Sequence, residues 1–176
     1  FMDIKVKNLS KKFNNFLAVD NINFTLEKNK ILGLLGSNGC GKTTSIGMML
    51  GLITPTCGEV LINNKNINNA NRNELLSRMN FASPYIELPK KLTVRQNLEV
   101  YGRLYGIKDL KNRIYEISTD LNLNNFLNKN TGELSSGQKN RVSLAKSLIN
   151  KPDVLFLDEP TASLDPDIGD FVREYI

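Results

Sequence analysis

The sequence has 176 residues, 40% of them hydrophobic, with 23 Lys and Arg against 18 Asp and Glu, no histidine and a net charge of +5. That is one domain in size with enough apolar side chain for a substantial core. Two cysteines in no pairing framework point to a reducing compartment. No apolar run approaches the ~18 residues of a membrane span, no basic-then-apolar leader opens the sequence, and the lysines are scattered without interleaved aromatics. The expectation is a cytosolic protein with a solvated basic surface, not a nucleic-acid binder. Asparagine is overused, with clusters at Asn63-Asn64, Asn66 and Asn68-Asn69, which reads as a coding bias with little functional content.

In chain order, Ile4 and Val6, then Ile22, Phe24 and Leu26, alternate as half-buried strands, with Asn14-Asn15 as the turn between them. Ile31-Leu32-Gly33-Leu34-Leu35 is a short apolar run that predicts a buried strand, and residues 42–52 predict a helix. Between them lies Gly36-Ser37-Asn38-Gly39-Cys40-Gly41-Lys42-Thr43-Thr44, giving strand, glycine loop, helix. A loop that wraps phosphate must expose consecutive backbone N–H groups with no Cβ in the way, and Gly36, Gly39 and Gly41 remove that obstruction. The following helix adds free N–H donors and the positive end of its dipole. Lys42 supplies a full charge to β- and γ-phosphates, and the Thr43 hydroxyl can ligate Mg2+. Cys40 lies inside this loop. Its thiol is either a reactive group that a bound anion would shield or a buried, inert one on a small residue that the loop tolerates.

Pro55 and Gly58 break the helix before a strand at Glu59-Val60-Leu61-Ile62. From about residue 90 the period becomes helical: Val94, Leu98, Tyr101 and Tyr105 share a face, and a second helix lies near 113–121. Leu134-Ser135-Ser136-Gly137-Gln138 then opens a helix with Val142, Ala145, Leu148 and Ile149 on one face. Serine hydroxyls and glycine amides at a helix start make a second anion site. The run Val154-Leu155-Phe156-Leu157 ends in Asp158-Glu159-Pro160. Alone, this acid pair is equally a solvated strand end. In a doubly wound sheet, however, ligands gather at the carboxyl ends of parallel strands, where Asp158 would hold the water shell of Mg2+ and Glu159 would accept a proton from attacking water.

Leu134-Ser135-Ser136-Gly137-Gln138 resembles the signature motif of ATP-binding cassette (ABC) ATPases, with Ser136 where the usual motif has its first glycine. Thr161-Ala162-Ser163-Leu164-Asp165 resembles the D-loop of that family, and the order of glycine loop (Walker A), signature, acidic strand and D-loop spans nearly the whole chain. The resemblance implies an α/β P-loop NTPase core with an antiparallel β subdomain and an inserted helical subdomain. Residues 1–84 would form the nucleotide-binding core and β subdomain, 85–137 the helical subdomain, and 138–176 the return to the core. It implies ATP and Mg2+ as cofactors, Thr43 and, through water, Asp158 at the metal, and Lys42 and Glu159 as catalytic groups. Phe13 falls where the family carries an aromatic that stacks on adenine; ordinary core is the alternative. Ser135, Ser136, Gly137 and Gln138, with Asp165, would act on ATP held by a second ABC ATPase domain in a head-to-tail homodimer or heterodimer. A separate membrane-spanning subunit is implied, and with it a place at the cytoplasmic face of the membrane.

Two departures stand out. Pro84, in Phe81-Ala82-Ser83-Pro84-Tyr85, occupies the position of a glutamine that in the family reaches Mg2+ and reports to the helical subdomain. Ser-Pro-Tyr with Thr93-Val94-Arg95-Gln96-Asn97-Leu98 after it resembles an exporter-type subset. The family also continues past the D-loop into a strand ending in histidine, whereas this sequence stops at Ile176. The expectation is therefore a C-terminally truncated piece, with a gap beside the strand of the glycine loop, or strand exchange with a neighbour. The function implied is an ATP-hydrolysing subunit that powers export through a membrane partner. The alternative is a soluble ABC ATPase acting on nucleic acid or ribosomes.

Overall fold

The computed structural model describes residues 2–69, 72–83 and 87–158. The chain divides into two units, Phe1–Met79 and Asn80–Ile176. The division falls a few residues ahead of the expected boundary at 84.

In the first unit, β1 (Ile4–Phe13) and β2 (Phe16–Leu26) form a hairpin across Asn14-Asn15. Two further strands, β3 (Cys57–Ile62) and β4 (Lys65–Asn66), complete an antiparallel sheet of order β2-β1-β3-β4. Alternation explains its faces: Ile4, Val6, Val60 and Ile62 point inward and are all at most 2% exposed, while Lys5 and Lys7 face water and pair with Asp3 and Glu59. Beside the sheet lies α1 (Lys42–Met49), which buries Ser45 to Met49. It stops earlier than residue 52 because Gly51, at φ +65°, turns left-handed and sends its N–H to Met48, while the Leu52 N–H bonds Gly47. The short α2 (Arg72–Ser77) follows, and Arg72 caps that turn through Nη2 to the Gly51 carbonyl at 2.6 Å. Neither β4 nor α2 was legible in the sequence, being too short for a periodic signal.

The predicted strand at Ile31–Leu35 does not form. This stretch has no regular structure, and Ile31 and Leu35 are 75% and 95% exposed. An all-apolar run makes a strand only where neighbours cover both faces and both edges. No described strand pairs with it.

The second unit opens within β5 (Met79–Ala82), which forms a two-stranded sheet with β6 (Val154–Leu157). The Asp158 amide donates to the Ala82 carbonyl, so the C-terminal ends of the two strands lie side by side. Three helices, α3 (Val94–Leu104), α4 (Leu110–Asp120) and α5 (Ser136–Leu148), share one apolar core of Val94, Leu98, Ile114, Ile117, Val142, Ala145, Leu148 and Ile149. The faces expected from the helical period are therefore the ones that bury. Two of these helices begin in a capping box, Thr93 with Gln96 and Ser135 with Gln138, in which side chain and backbone bond reciprocally. Helix ends are equally regular. Gly106 after α3 and Asn122 after α4 adopt positive φ and close the same pair of bonds as Gly51.

Candidate functional site

The glycine loop runs exposed from Gly36 to Cys40 and enters α1 through Gly41, at φ +96°. Two constraints hold Gly41: the left-handed backbone, and the Ala18 carbonyl of β2, which a Cβ would strike. The hairpin thus fixes where the helix begins. Since Gly41 has no side chain to cap it, the first-turn amides of α1 keep their donors for an anion. Lys42 curls back over the loop, donating from Nζ to the Gly36 carbonyl at 2.7 Å and the Ser37 carbonyl at 2.9 Å, with the Cys40 sulfur at 3.9 Å. Its ammonium is thereby held inside the curve of the loop, where oxygen acceptors gather. Thr43 is exposed and Thr44 half-buried in the first turn of the same helix. Gly36, Ser37, Asn38, Gly39 and Cys40 all face solvent. An oxygen-rich polyanion can be met here by one full charge and by several N–H groups at once.

Phe13, at the end of the hairpin, is 45% exposed, which rules out the ordinary-core reading. The Lys11 ammonium lies 4.9 Å from its ring centroid.

In the second unit, Ser135 and Ser136 are exposed at the start of α5. The Ser135 hydroxyl accepts the Gln138 N–H at 3.3 Å, and Gln138 Oε1 accepts the Ser135 N–H at 3.0 Å. The signature segment is thus a rigid helix start, and the Ser135 O–H remains a donor. Behind it opens a cavity of about 230 Å³, lined by Ser83, Glu87, Lys90, Thr131, Ser136 and Lys139 among others. Lys90, and more weakly Lys139, hold the Glu87 carboxyl below its usual range. The sequence reading did not single out these three charges, which sit among scattered lysines and carry no periodic signal.

Asp158 is buried at the end of β6 with its amide on β5. Glu159, Asp165 and the remaining D-loop residues, like Pro84, lie outside the described residues.

Two side chains that the sequence reading missed grip the far end of α5. Arg113 of α4 is buried and donates Nε to the Ile149 carbonyl at 3.0 Å, Nη2 to the Leu148 carbonyl, and Nη1 to Glu116 at 3.1 Å. A cation thereby meets the negative end of the helix dipole. The guanidinium, helped by Lys151, holds Glu116 below the usual carboxylate range. Lys146 reaches from α5 to the Phe81 carbonyl at 3.1 Å and Asn80 Oδ1 at 3.4 Å, under the Tyr101 ring. Burial pushes its ammonium below the usual lysine range. The i, i+3 spacing of Arg113 and Glu116 is the signal that could have found the pair; nothing in the sequence signals the burial of the guanidinium.

The sequence matches the family described as ABC transporter over residues 19–162. It is 38% identical over 165 residues to the probable multidrug ABC transporter ATP-binding protein YbhF of Escherichia coli, covering 93% of this chain and 28% of that protein. It is also 38% identical over 168 residues to the Nod factor export ATP-binding protein I of Burkholderia lata, 93% of this chain and 54% of that one. A zinc import ATP-binding protein, ZnuC of Rickettsia conorii, matches at 38% as well, over 92% of this chain and 64% of its own length. The chain thus spans between about a quarter and about two thirds of these relatives. Among solved structures, a dimeric post-hydrolysis state of an ATP-binding cassette bound to ADP and Pi superposes with a TM-score of 0.84 at 27% identity, over 98% of this chain and 80% of that one.

Proposed function

The chain belongs to the ABC transporter family, with the P-loop NTPase fold of its ATP-binding domains, and from that membership we propose that it binds and hydrolyses ATP to power export through a separate membrane-spanning subunit. The observation that carries the reading is the Lys42 ammonium held at the mouth of an exposed glycine loop whose helix start keeps its amides. Phosphate oxygens are the same kind of acceptor as the Gly36 and Ser37 carbonyls, so Lys42 exchanges one set for the other as nucleotide enters. Loop amides from Ser37 to Thr44 line the phosphates, and the exposed Phe13 ring offers adenine a stacking face. Thr43, and Asp158 through water, offer oxygen donors of the hard kind that suit Mg2+, whose charge would neutralise the phosphates. Glu159 takes the proton from the attacking water. Ser135, Ser136, Gly137 and Gln138, with Asp165, complete the site of a second ABC ATPase domain, identical or related, in a head-to-tail pair.

Export rather than import is read from the segment Ser83-Pro84-Tyr85 and from the Nod factor export relative; the location is the cytoplasmic face of the membrane. The test is Glu159→Gln in the full-length protein. It keeps Mg-ATP binding, loses steady-state phosphate release, and accumulates as an ATP-bound dimer by light scattering. Phosphate release at the wild-type rate would move the general base elsewhere, and a variant that stays monomeric with ATP would remove the head-to-tail pair.

A further inference from the structure

We propose that Asn38 is a site of spontaneous covalent modification in the nucleotide-free phosphate loop, where its side-chain amide condenses with the Gly39 backbone nitrogen and leaves a carboxylate that shuts the loop to phosphate, and that bound nucleotide prevents this. The consequence for phosphate rests on the nucleotide-binding reading above; the chemistry of the site does not.

Asn38-Gly39 is the one Asn-Gly pair in the sequence. Attack of a backbone nitrogen on the preceding side-chain carbonyl is hindered by a Cβ on the attacking residue, and glycine has none. Both residues are exposed, Gly39 sits at φ +83°, and nothing lies within 4 Å of where its Cβ would be. The backbone bond across the turn is long, Cys40 N–H to the Ser37 carbonyl at 3.3 Å, and the Lys42 ammonium holds the carbonyls of Gly36 and Ser37, leaving the Asn38 side chain and the Gly39 nitrogen outside its grip. No other asparagine precedes a glycine, and two that lie on a turn are also tied. Asn63 Oδ1 is tied to the Asp3 N–H at 3.1 Å and Asn64 Oδ1 to Lys5 Nζ at 2.8 Å.

The Gly39 nitrogen gives up its proton and bonds to Asn38 Cγ, the Cγ–Nδ2 bond breaks, and ammonia leaves. Water then opens the cyclic imide at either carbonyl, giving an aspartate or an isoaspartate. One ammonia is lost and one water gained, with no change of oxidation state, and a neutral amide becomes an anion. That anion lies within four residues of Lys42, the only ammonium described inside the loop, where it competes for the charge and repels phosphate. A bound triphosphate engages the loop amides and holds the Gly39 nitrogen away from its target.

The experiment incubates the full-length protein at mildly alkaline pH, without nucleotide and with saturating Mg2+ and a non-hydrolysable ATP analogue, and follows the peptides containing Asn38, Asn14 and Asn63 by mass spectrometry. Conversion at Asn38 is expected to outrun the other two several-fold, and the analogue to suppress it. Binding of a fluorescent nucleotide should fall in step with the converted fraction. Asn38→Asp should bind at least about tenfold more weakly from the start, and Asn38→Ser should hold its own starting capacity through the incubation. Conversion at Asn38 no faster than at Asn14 or Asn63 would overturn the proposal, as would equal rates with and without an analogue that binds, or an Asn38→Asp variant that binds like wild type. A fresh protein that binds no nucleotide would instead overturn the functional reading, while the preference for Asn38 is still read from the nucleotide-free arm.

Discussion

Lys42 and Cys40 share one small volume, the ammonium 3.9 Å from the sulfur, and the thiol is exposed. Exposure removes the alternative of a buried, inert thiol, and shielding of a reactive one by nucleotide is open to experiment. Saturating Mg-ATP should slow alkylation of Cys40 by iodoacetamide several-fold and leave Cys57, exposed on β3, unchanged as an internal reference. Equal protection, or none, would place the nucleotide elsewhere. At this scale the sequence was most legible where chemistry restricts residue type, as in the loop from Gly36 to Thr44. It was least legible where a polar side chain is used for its backbone preference. Composition alone makes the asparagine excess a coding bias, yet Asn8, Asn14, Asn21, Asn29, Asn63, Asn64 and Asn122 all hold positive φ, the left-handed region that favours Gly and Asn.

Helix starts and stops were legible wherever a short-range motif writes them. Thr93 with Gln96 and Ser135 with Gln138 are such motifs, and the second of them is also the signature segment. Tertiary grips were not legible, because the partners lie far apart in sequence. Arg113→Ala leaves the Leu148 and Ile149 carbonyls without their buried donor and should cost roughly 3 kcal/mol in urea unfolding. Glu116→Gln, at an exposed position, should cost clearly less. A loss for Arg113→Ala no larger than for Glu116→Gln would mean that the end of α5 is held by packing alone.

Lys146, on the same helix, gives a pH dependence. Its native pKa lies below the usual 10.5 because burial disfavours the charge, so in the window between the native value and 10.5 the unfolded chain binds the extra proton. Stability from this group therefore rises with pH across that window. Tyr105, raised above 10.0 by burial, acts oppositely: its contribution is lost as pH climbs past 10.0. The difference between wild type and Lys146→Met isolates the lysine and should move in favour of wild type as pH approaches 10.5. A flat difference would show that the ammonium is solvated in the native state.

Across the whole chain, the antiparallel hairpin, the helical layer and the acidic strand were foreseen, and one predicted strand failed. Ile31–Leu35 shows why: its apolar residues say that it can be buried but not by what, since the covering partners are written elsewhere or supplied from outside. The turns carry a further whole-chain effect. Asn122 ends α4 where Gly51 and Gly106 end α1 and α3, with the same pair of closing bonds. Asn122→Gly should stay within about 0.5 kcal/mol of wild type, whereas Asn122→Ala should lose roughly 1–2 kcal/mol by thermal unfolding.

Near-equality of asparagine and glycine at such a turn concerns the random coil as much as the native backbone. A glycine at each of the seven left-handed positions would have given the denatured chain more conformations to abandon, about 0.4–1 kcal/mol apiece. Asparagine narrows that ensemble in advance and returns part of the gain as the cost of the left-handed angle. A base composition that favours asparagine codons can therefore replace turn glycines throughout the described chain with little net change in folding free energy.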